Sequence, residues 1–389
     1  MQKYLGSFVL SYLRFFAKLQ IAKLKFINPK LKVIGITGSA GKTSTIEAIV
    51  ATLQSNYRLK TTSGYNSESG IPLSILNLKI KNYSPINWAI ILLLAPISLI
   101  ANWQIYDILI LEMAIDSQKY PKNMDFLLSI VKPDIGVLLN VSSVHLQNFD
   151  SLESIAKEKS KLINSLPQNG FAIINPDIKK YIHTQAKIIE IKPYKNNLNL
   201  PQVYDLTLGV AAEIAKIFNI KPNFSKFVLP SGRFKIFKGI NNSTIIDSTY
   251  NSSPIATIEM LKYLSKFKTP RVAILGDMRE LGTSTTIEHQ KIYEFAKKSA
   301  DIVIGVGIET QKIFDKAVTY WWQVDTSFPK NSTILIKGSQ NTIFLEELVK
   351  SLLQNKSDIK YLCRQSPYWL KLKNNFKTKA NNSFGESTK

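Results

Sequence analysis

Short apolar runs, each closed by a polar or glycine-bearing turn, recur along the chain and alternate with stretches of helical periodicity. Runs at 31–36, 106–112, 135–140 and 171–175 read as buried strands, and 46–53, 151–163 and 206–218 as the helices between them. After a proline-bearing linker at 222–232 the pattern restarts. Strands are predicted at 244–247, 272–275, 302–306 and 333–336, with helices at 254–267 and 287–298. Strand–helix alternation on this scale predicts two α/β domains built on parallel sheets. The polar, glycine-punctuated stretch 61–72 and the polar stretch 187–204 read as loops, and 371–389 as a frayed polar, basic tail.

Two stretches depart from the alternation. Residues 1–32 hold seven basic residues and no acidic one, and Leu5, Phe8, Val9, Tyr12, Phe16 and Leu19 recur at helical spacing. This predicts a basic amphipathic helix, lying either on a membrane or on the protein's own core. Arg14 interrupts the apolar stretch and no small-residue cleavage site follows, so a cleaved signal is not expected. Residues 82–106 carry no charge and centre on AIILLLAPISLIA, between Trp88 and Trp103. That core is short of the roughly 20 residues a membrane span needs. Pro96 allows a kinked helix or a shallow hairpin there, and the tryptophans suit a membrane interface.

The first strand runs into Gly38-Ser39-Ala40-Gly41-Lys42-Thr43-Ser44 and then a helix. Strand, glycine loop and helix are the context in which backbone N–H groups and a helix N-terminus hold phosphate. Lys42 would face the β- and γ-phosphates and Thr43 a magnesium ion. The loop is a short T-G-x-x-G-K-T, with Ile36 where the longer pattern has glycine. Glu112 closes an apolar strand, the position where α/β sheets hold ligands. His145 follows just past another strand end, while Lys157, Lys159 and Lys161 on the next helix read, from charge alone, as a solvated face.

Composition adds limits. Fifty Lys and Arg against 28 Asp and Glu give a net charge of +22. An anionic partner and a lysine- and asparagine-rich composition explain it equally. No nucleic-acid-binding motif accompanies the charge. A single cysteine, Cys363, excludes an internal disulfide and a cysteine zinc site and fits a reducing compartment. His145, His183 and His289 are too scattered for a metal cluster.

Taken in order, ITGSAGKTST, NSESGIPLSIL, LILEMAID, NVSSVHLQNFDSLESIAKEKSK, SGRF, DSTYNSSP, LGDMRELG and LIKGS resemble the successive motifs of the Mur ligases, over about residues 32–352. DSTYNSSP with GDMRELG is similar to the branch that adds D-alanyl-D-alanine. The resemblance implies a P-loop central ATPase domain with a mainly parallel sheet at 32–229, carrying an apolar insertion near 86–105. A Rossmann-like α/β C-terminal domain at 230–365 follows, with the N-terminal helix at 1–31 and the tail at 366–389 outside both. It implies an ATP-dependent ligase of peptidoglycan synthesis that activates a muropeptide carboxylate as acyl phosphate and joins it to D-alanyl-D-alanine.

ATP would lie on Gly38, Ser39, Gly41, Lys42, Thr43 and Ser44, with Arg233, Asp247 and Asn251 from the C-terminal domain closing on it. Thr43 and Glu112 would bind one Mg2+. His145 and a carbamylated Lys159, with Lys157 as the fallback, would bind a second. Asn66 belongs to the substrate loop, and Lys42, Lys159, His145 and Arg233 to catalysis. Family members of this branch begin with a uridine-nucleotide-binding domain, which the 31 residues before the first strand do not provide. Ligation of a lipid-linked or other carboxylate, or ATP binding at a membrane without ligation, are the alternatives. A related branch acting on lipid-linked precursor carries a four-cysteine zinc insert that one cysteine excludes. A cytoplasmic monomer, peripheral at most on the inner face of the plasma membrane, is expected.

Overall fold

In the computed structural model the described residues are 2–62, 64–80, 84–142, 148–195, 198–339 and 343–386, with the backbone alone described for 2–5 and 382–386. The chain divides into two compact units, Met1–Asn199 with Tyr204–Val228, and Leu200–Val203 with Leu229–Lys389.

The first unit is built on β1 (Lys32–Thr37), β2 (Leu59–Thr61), β3 (Ile108–Glu112), β4 (Ile135–Leu138), β5 (Phe171–Ile174) and β6 (Lys187–Glu190). All pairs are parallel, in the order β2-β3-β1-β4-β5-β6. Its helices are α1 (Gln2–Ile27), α2 (Lys42–Leu53), α3 (Gly70–Ile75), α4 (Pro85–Ala101), α5 (Met124–Ile130), α6 (Leu152–Asn164) and α7 (Val203–Ile217). An inner parallel strand is covered on both faces, which is why KVIGIT is buried at every position after Lys32. The strands β2 and β3 lie on one side of β1, and β4, β5 and β6 on the other. The carboxyl end of β1 is therefore a topological switch point, where open α/β sheets form their crevice.

The structure settles the open reading of the N-terminal helix for one of its faces. Val9, Leu13, Ala17, Ile21 and Leu24, spaced by one helical turn, are buried in one cluster with Val33, Leu109 and Leu111 of the sheet. The uncharged stretch forms a single helix, α4, that runs through Pro96 rather than a hairpin. Its amino end is capped locally, where Ser84 Oγ accepts the Asn87 N–H at 3.3 Å, and its carboxyl end is held from α1, where the Lys23 ammonium donates to the Leu99 and Asn102 carbonyls at 2.6 and 2.9 Å.

The second unit holds β7 (Lys235–Lys238), β8 (Thr244–Ser248), β9 (Arg271–Gly276), β10 (Ile302–Val306), β11 (Ala317–Val318) and β12 (Thr333–Lys337), with α8 (Pro254–Leu264), α9 (Thr285–Ser299), α10 (Ile308–Gln311), α11 (Glu346–Leu352) and α12 (Pro367–Glu386). The order is β11-β10-β9-β12-β8-β7, parallel except for β7 against β8. The tail expected to fray is helical as far as Glu386. The buried Lys373 ammonium ties it down, 2.8 Å from Glu346 and 2.7 Å from Glu347. The 187–204 stretch likewise contains β6, and the 61–72 stretch ends in α3.

Candidate active site

The loop after β1 is shaped by its glycines. Gly41 caps α2 with φ 85°, and a Cβ at Gly38, φ 154°, would press on Leu139 Cβ at 3.0 Å. The loop is pinned from the adjacent strand. Asn140, just past β4, accepts the Ala40 N–H on Oδ1 at 2.8 Å and donates from Nδ2 to the Ala40 carbonyl at 3.1 Å. Its own carbonyl accepts the Ser39 N–H at 3.0 Å, and Ser39 Oγ accepts the Ser142 N–H at 3.0 Å. A loop fixed at Ser39 and Ala40 has less to order on binding.

Across β1, the strand β3 delivers Glu112. The residue is 3 % exposed, and its carboxylate accepts from Thr43 Oγ1 at 2.9 Å and Asn66 Nδ2 at 3.0 Å. The buried Thr62 hydroxyl accepts the Glu112 N–H at 3.0 Å and so fixes its backbone. Hydroxyl and carboxylate side by side form a hard oxygen donor set suited to Mg2+, so the residues fit the ion. Among the described residues no group of three or more His, Cys, Asp or Glu side chains could hold a metal. His145 lies outside the described residues.

Two lysines converge on one carbonyl. Lys42 Nζ donates to Gly38 O at 2.9 Å and Lys159 Nζ to the same oxygen at 3.3 Å. Lys159 is 3 % exposed; burial, then the nearby Lys42 charge, pull its pKa down to about 7, against a smaller opposing pull from Asp116. The three lysines of α6 therefore do not share a solvated face. Lys157 and Lys161 lie on the outer side, paired with Glu153 at 2.8 Å and with Asp125 at 2.6 Å. Lys159, two residues from each, turns inward between Ala156 and Leu162.

The second unit has its own cluster at the ends of two adjacent central strands, where Asp247 of β8 is in register with Ile336 of β12. Asp247 is fully buried. Its Oδ1 accepts from the Thr249 N–H and hydroxyl at 3.0 and 2.7 Å, while Oδ2 has no hydrogen-bond partner among the described residues. Burial pushes its pKa up to about 6, against the Thr249 bonds. Lys337, at the end of β12, donates to Ser248 Oγ at 3.2 Å and Asn251 O at 3.0 Å, and burial with the Arg233 charge lowers it to about 7. The Arg233 guanidinium lies 4.7 Å over the Tyr250 ring. Below that turn, Arg364 bridges the buried Glu346 carboxylate, at 2.8 and 2.9 Å, to the Thr249 and Tyr250 carbonyls.

Residues 36–204 match the Mur ligase middle domain, and residues 232–339 the family described as Mur ligase, glutamate ligase domain. The chain belongs to the Mur ligase family. Among similar proteins is the UDP-N-acetylmuramoyl-tripeptide–D-alanyl-D-alanine ligase of Escherichia coli, 24 % identical over 83 % of this chain and 77 % of that protein. The ligase of the same name from Bacillus subtilis is 26 % identical over 86 % and 79 %. A solved structure, MurF ligase from Thermotoga maritima in complex with ADP, shares the fold with a TM-score of 0.71 at 21 % identity, covering 90 % of this chain and 84 % of that one.

In this Mur ligase, Gly38 to Ser44, Asn66, Glu112 and Lys159 come together in the first unit, and Arg233, Asp247 and Asn251 in the second. Sequence reasoning missed Asn140, Thr62, Lys337 and Arg364. Asn140 sits at a strand end beside the loop and Thr62 at a strand end beside Glu112, and a lysine closing the apolar run TILIK was a signal for the third.

Proposed function

We propose that this chain is an ATP-dependent amide ligase of peptidoglycan precursor synthesis. It activates a muropeptide carboxylate as an acyl phosphate and joins it to the amine of D-alanyl-D-alanine, with ADP and phosphate as the other products. The Thr43–Glu112 pair beside the P-loop carries the reading: a phosphate-binding loop whose hydroxyl already meets a buried carboxylate from the neighbouring strand is built for a metal–nucleotide complex.

Loop N–H groups and Lys42 would hold the phosphates and counter the charge on the transferred group. Thr43 and Glu112 would hold Mg2+, which when bound neutralises phosphate charge. Asn66 orients the Glu112 carboxylate through its 3.0 Å bond. Lys159 is buried and lowered to about 7, so much of it is a neutral amine at physiological pH. That is the form that reacts with carbon dioxide, and we assign it the carbamylated position, where the added carboxylate would serve a second metal with His145. Arg233, Asp247 and Asn251 are assigned to the nucleotide from the second unit. Cytoplasmic work fits the ATP requirement.

The test is ADP release with UDP-linked and lipid-linked muropeptides, each with and without D-alanyl-D-alanine. Release that needs both a muropeptide and the dipeptide supports the assignment, and the preferred carrier names the donor. Release indifferent to the dipeptide would overturn it.

A further inference from the structure

The helix α4 has an unusual distribution of side chains. Only Ile91 and Ala95 are buried. Ile86, Ile90, Leu93, Ile97 and Ile100 follow one another at four- and three-residue steps, and all are exposed, Leu93 at 71 % and Ile100 at 73 %. A surface helix normally turns polar residues to water. Here its two polar side chains are both engaged: Asn87 Nδ2 donates to Ser84 Oγ of the helix's own cap at 2.9 Å, and the Ser98 hydroxyl donates to the Leu76 carbonyl. The outer face is left wholly apolar.

Helix α1 packs against α4 and buries its inner face in the same core cluster. Its opposite face exposes Phe8, Phe15 and Phe26, with Phe26 86 % exposed. Both apolar faces therefore point away from one shared core. The Lys23 ammonium of α1 ties the two helices together, lying 4.0 Å over the exposed Trp103 ring while holding the α4 carboxyl end. Exposed apolar faces on two packed helices are surface of the kind that marks an interaction site.

Charge identifies the occupant. Lys18 and Lys25 flank the phenylalanine stripe on exposed positions, and Lys30 follows it. The first 46 residues contain no acidic side chain, and 82–106 no charge at all. A second copy placed on this face would set lysine against lysine without a carboxylate to pair them. An anionic planar surface with an apolar interior satisfies both components. Among the described residues no helix is long and apolar enough to cross a membrane, so contact is confined to one leaflet.

We propose that the outer faces of α4 and α1 form a docking surface for an anionic lipid bilayer, with the α4 isoleucine and leucine stripe immersed among acyl chains and Lys18 and Lys25 at the headgroups. The lysines add attraction that the apolar stripe alone lacks, and two such elements give stable peripheral binding where one is marginal. This reading is independent of the ligase assignment.

Flotation of the full chain with phosphatidylcholine vesicles, with and without phosphatidylglycerol, tests it. The chain should float with the anionic vesicles, more at about 0.1 M than at about 1 M salt, because screening shortens the reach of the lysines. Acyl-chain bromination should quench tryptophan fluorescence, and Trp103→Phe should remove most of that quenching. Leu93→Glu with Ile97→Glu, both at exposed positions, should abolish flotation. Lys18→Glu with Lys25→Glu should weaken it at least about tenfold. Sedimentation velocity accompanies both variants. A chain that never floats overturns the proposal, and so does a dimer dissolved by the Leu93 and Ile97 changes without lipid binding. Equal flotation with neutral vesicles would overturn the charge component.

Discussion

Replacing Lys159 with Met should stabilise the first unit while removing activity. The buried ammonium has a folded value of about 7 against an ordinary 10.5. The unfolded chain thus binds this proton more tightly than the folded one. The penalty is fully present below pH 7, shrinks as pH rises through the window from about 7 to 10.5, and vanishes above it. At pH 7 it amounts to about 4 kcal/mol as an upper figure, and at pH 9 to about 2 kcal/mol. Methionine has a similar length and no charge, so it keeps the packing and removes the penalty. Urea-dependent hydrogen exchange, read on peptides from β1 and β3 in carbonate-free buffer, reports this unit separately from the second. Wild type should gain about 2 kcal/mol between pH 7 and pH 9, and Lys159→Met should lack that gain and exceed wild type at pH 7. A variant that is less stable at pH 7, or that keeps the pH dependence, would refute a neutralised buried amine. ADP release by the same variant should fall to background.

Lys42→Ala should lower ATP turnover at least about a hundredfold with the fold intact, since it removes the charge facing the transferred phosphoryl group. Near wild-type turnover would end the P-loop assignment. Glu112→Gln keeps the shape beside Thr43 and removes the charge. The Mg2+ needed for half-maximal turnover should rise at least about tenfold, and an unchanged Mg2+ titration would exclude Glu112 as a ligand. Asp247→Asn should stabilise the second unit. A carboxyl raised from 3.8 to about 6 carries no penalty below pH 3.8 and its full penalty above 6, about 3 kcal/mol at most at pH 7. Reduced protection of β8 and β12 peptides in hydrogen exchange would show instead that the charge is compensated.

The central strands were legible because inner parallel strands are buried on both faces and read as unbroken apolar runs. The edge strands were not. β6 is KIIE and β7 is KIFK, short segments with lysine at an end, and their side chains are half in water. Lys159 was misread as surface because charge was weighed without periodicity. Positions 157 and 161 share a helix face, and 159 lies about 200° around from 157, among residues that are themselves apolar and buried. Asn140 gave no signal of its own, since an asparagine after a strand is ordinary turn chemistry. Its role exists only once β4 lies beside β1. The polar tail became a helix through Lys373 and the buried Glu346, a pairing between segments that no local pattern contains.

The order β3-β1-β4 also has a consequence for the time at which the site comes into being. The hydroxyl that meets Glu112 is 69 residues from it in the chain, and the loop backbone is pinned by a side chain 100 residues downstream. None of these links is local, and each requires loop closure before it returns any free energy. During synthesis the glycine loop leaves the ribosome early, without its carboxylate and without its anchor. A growing chain that stops short of Asn140 holds the complete phosphate-binding motif without the side chain that pins its backbone. The loop reaches its pinned geometry only when the fourth strand docks beside the first.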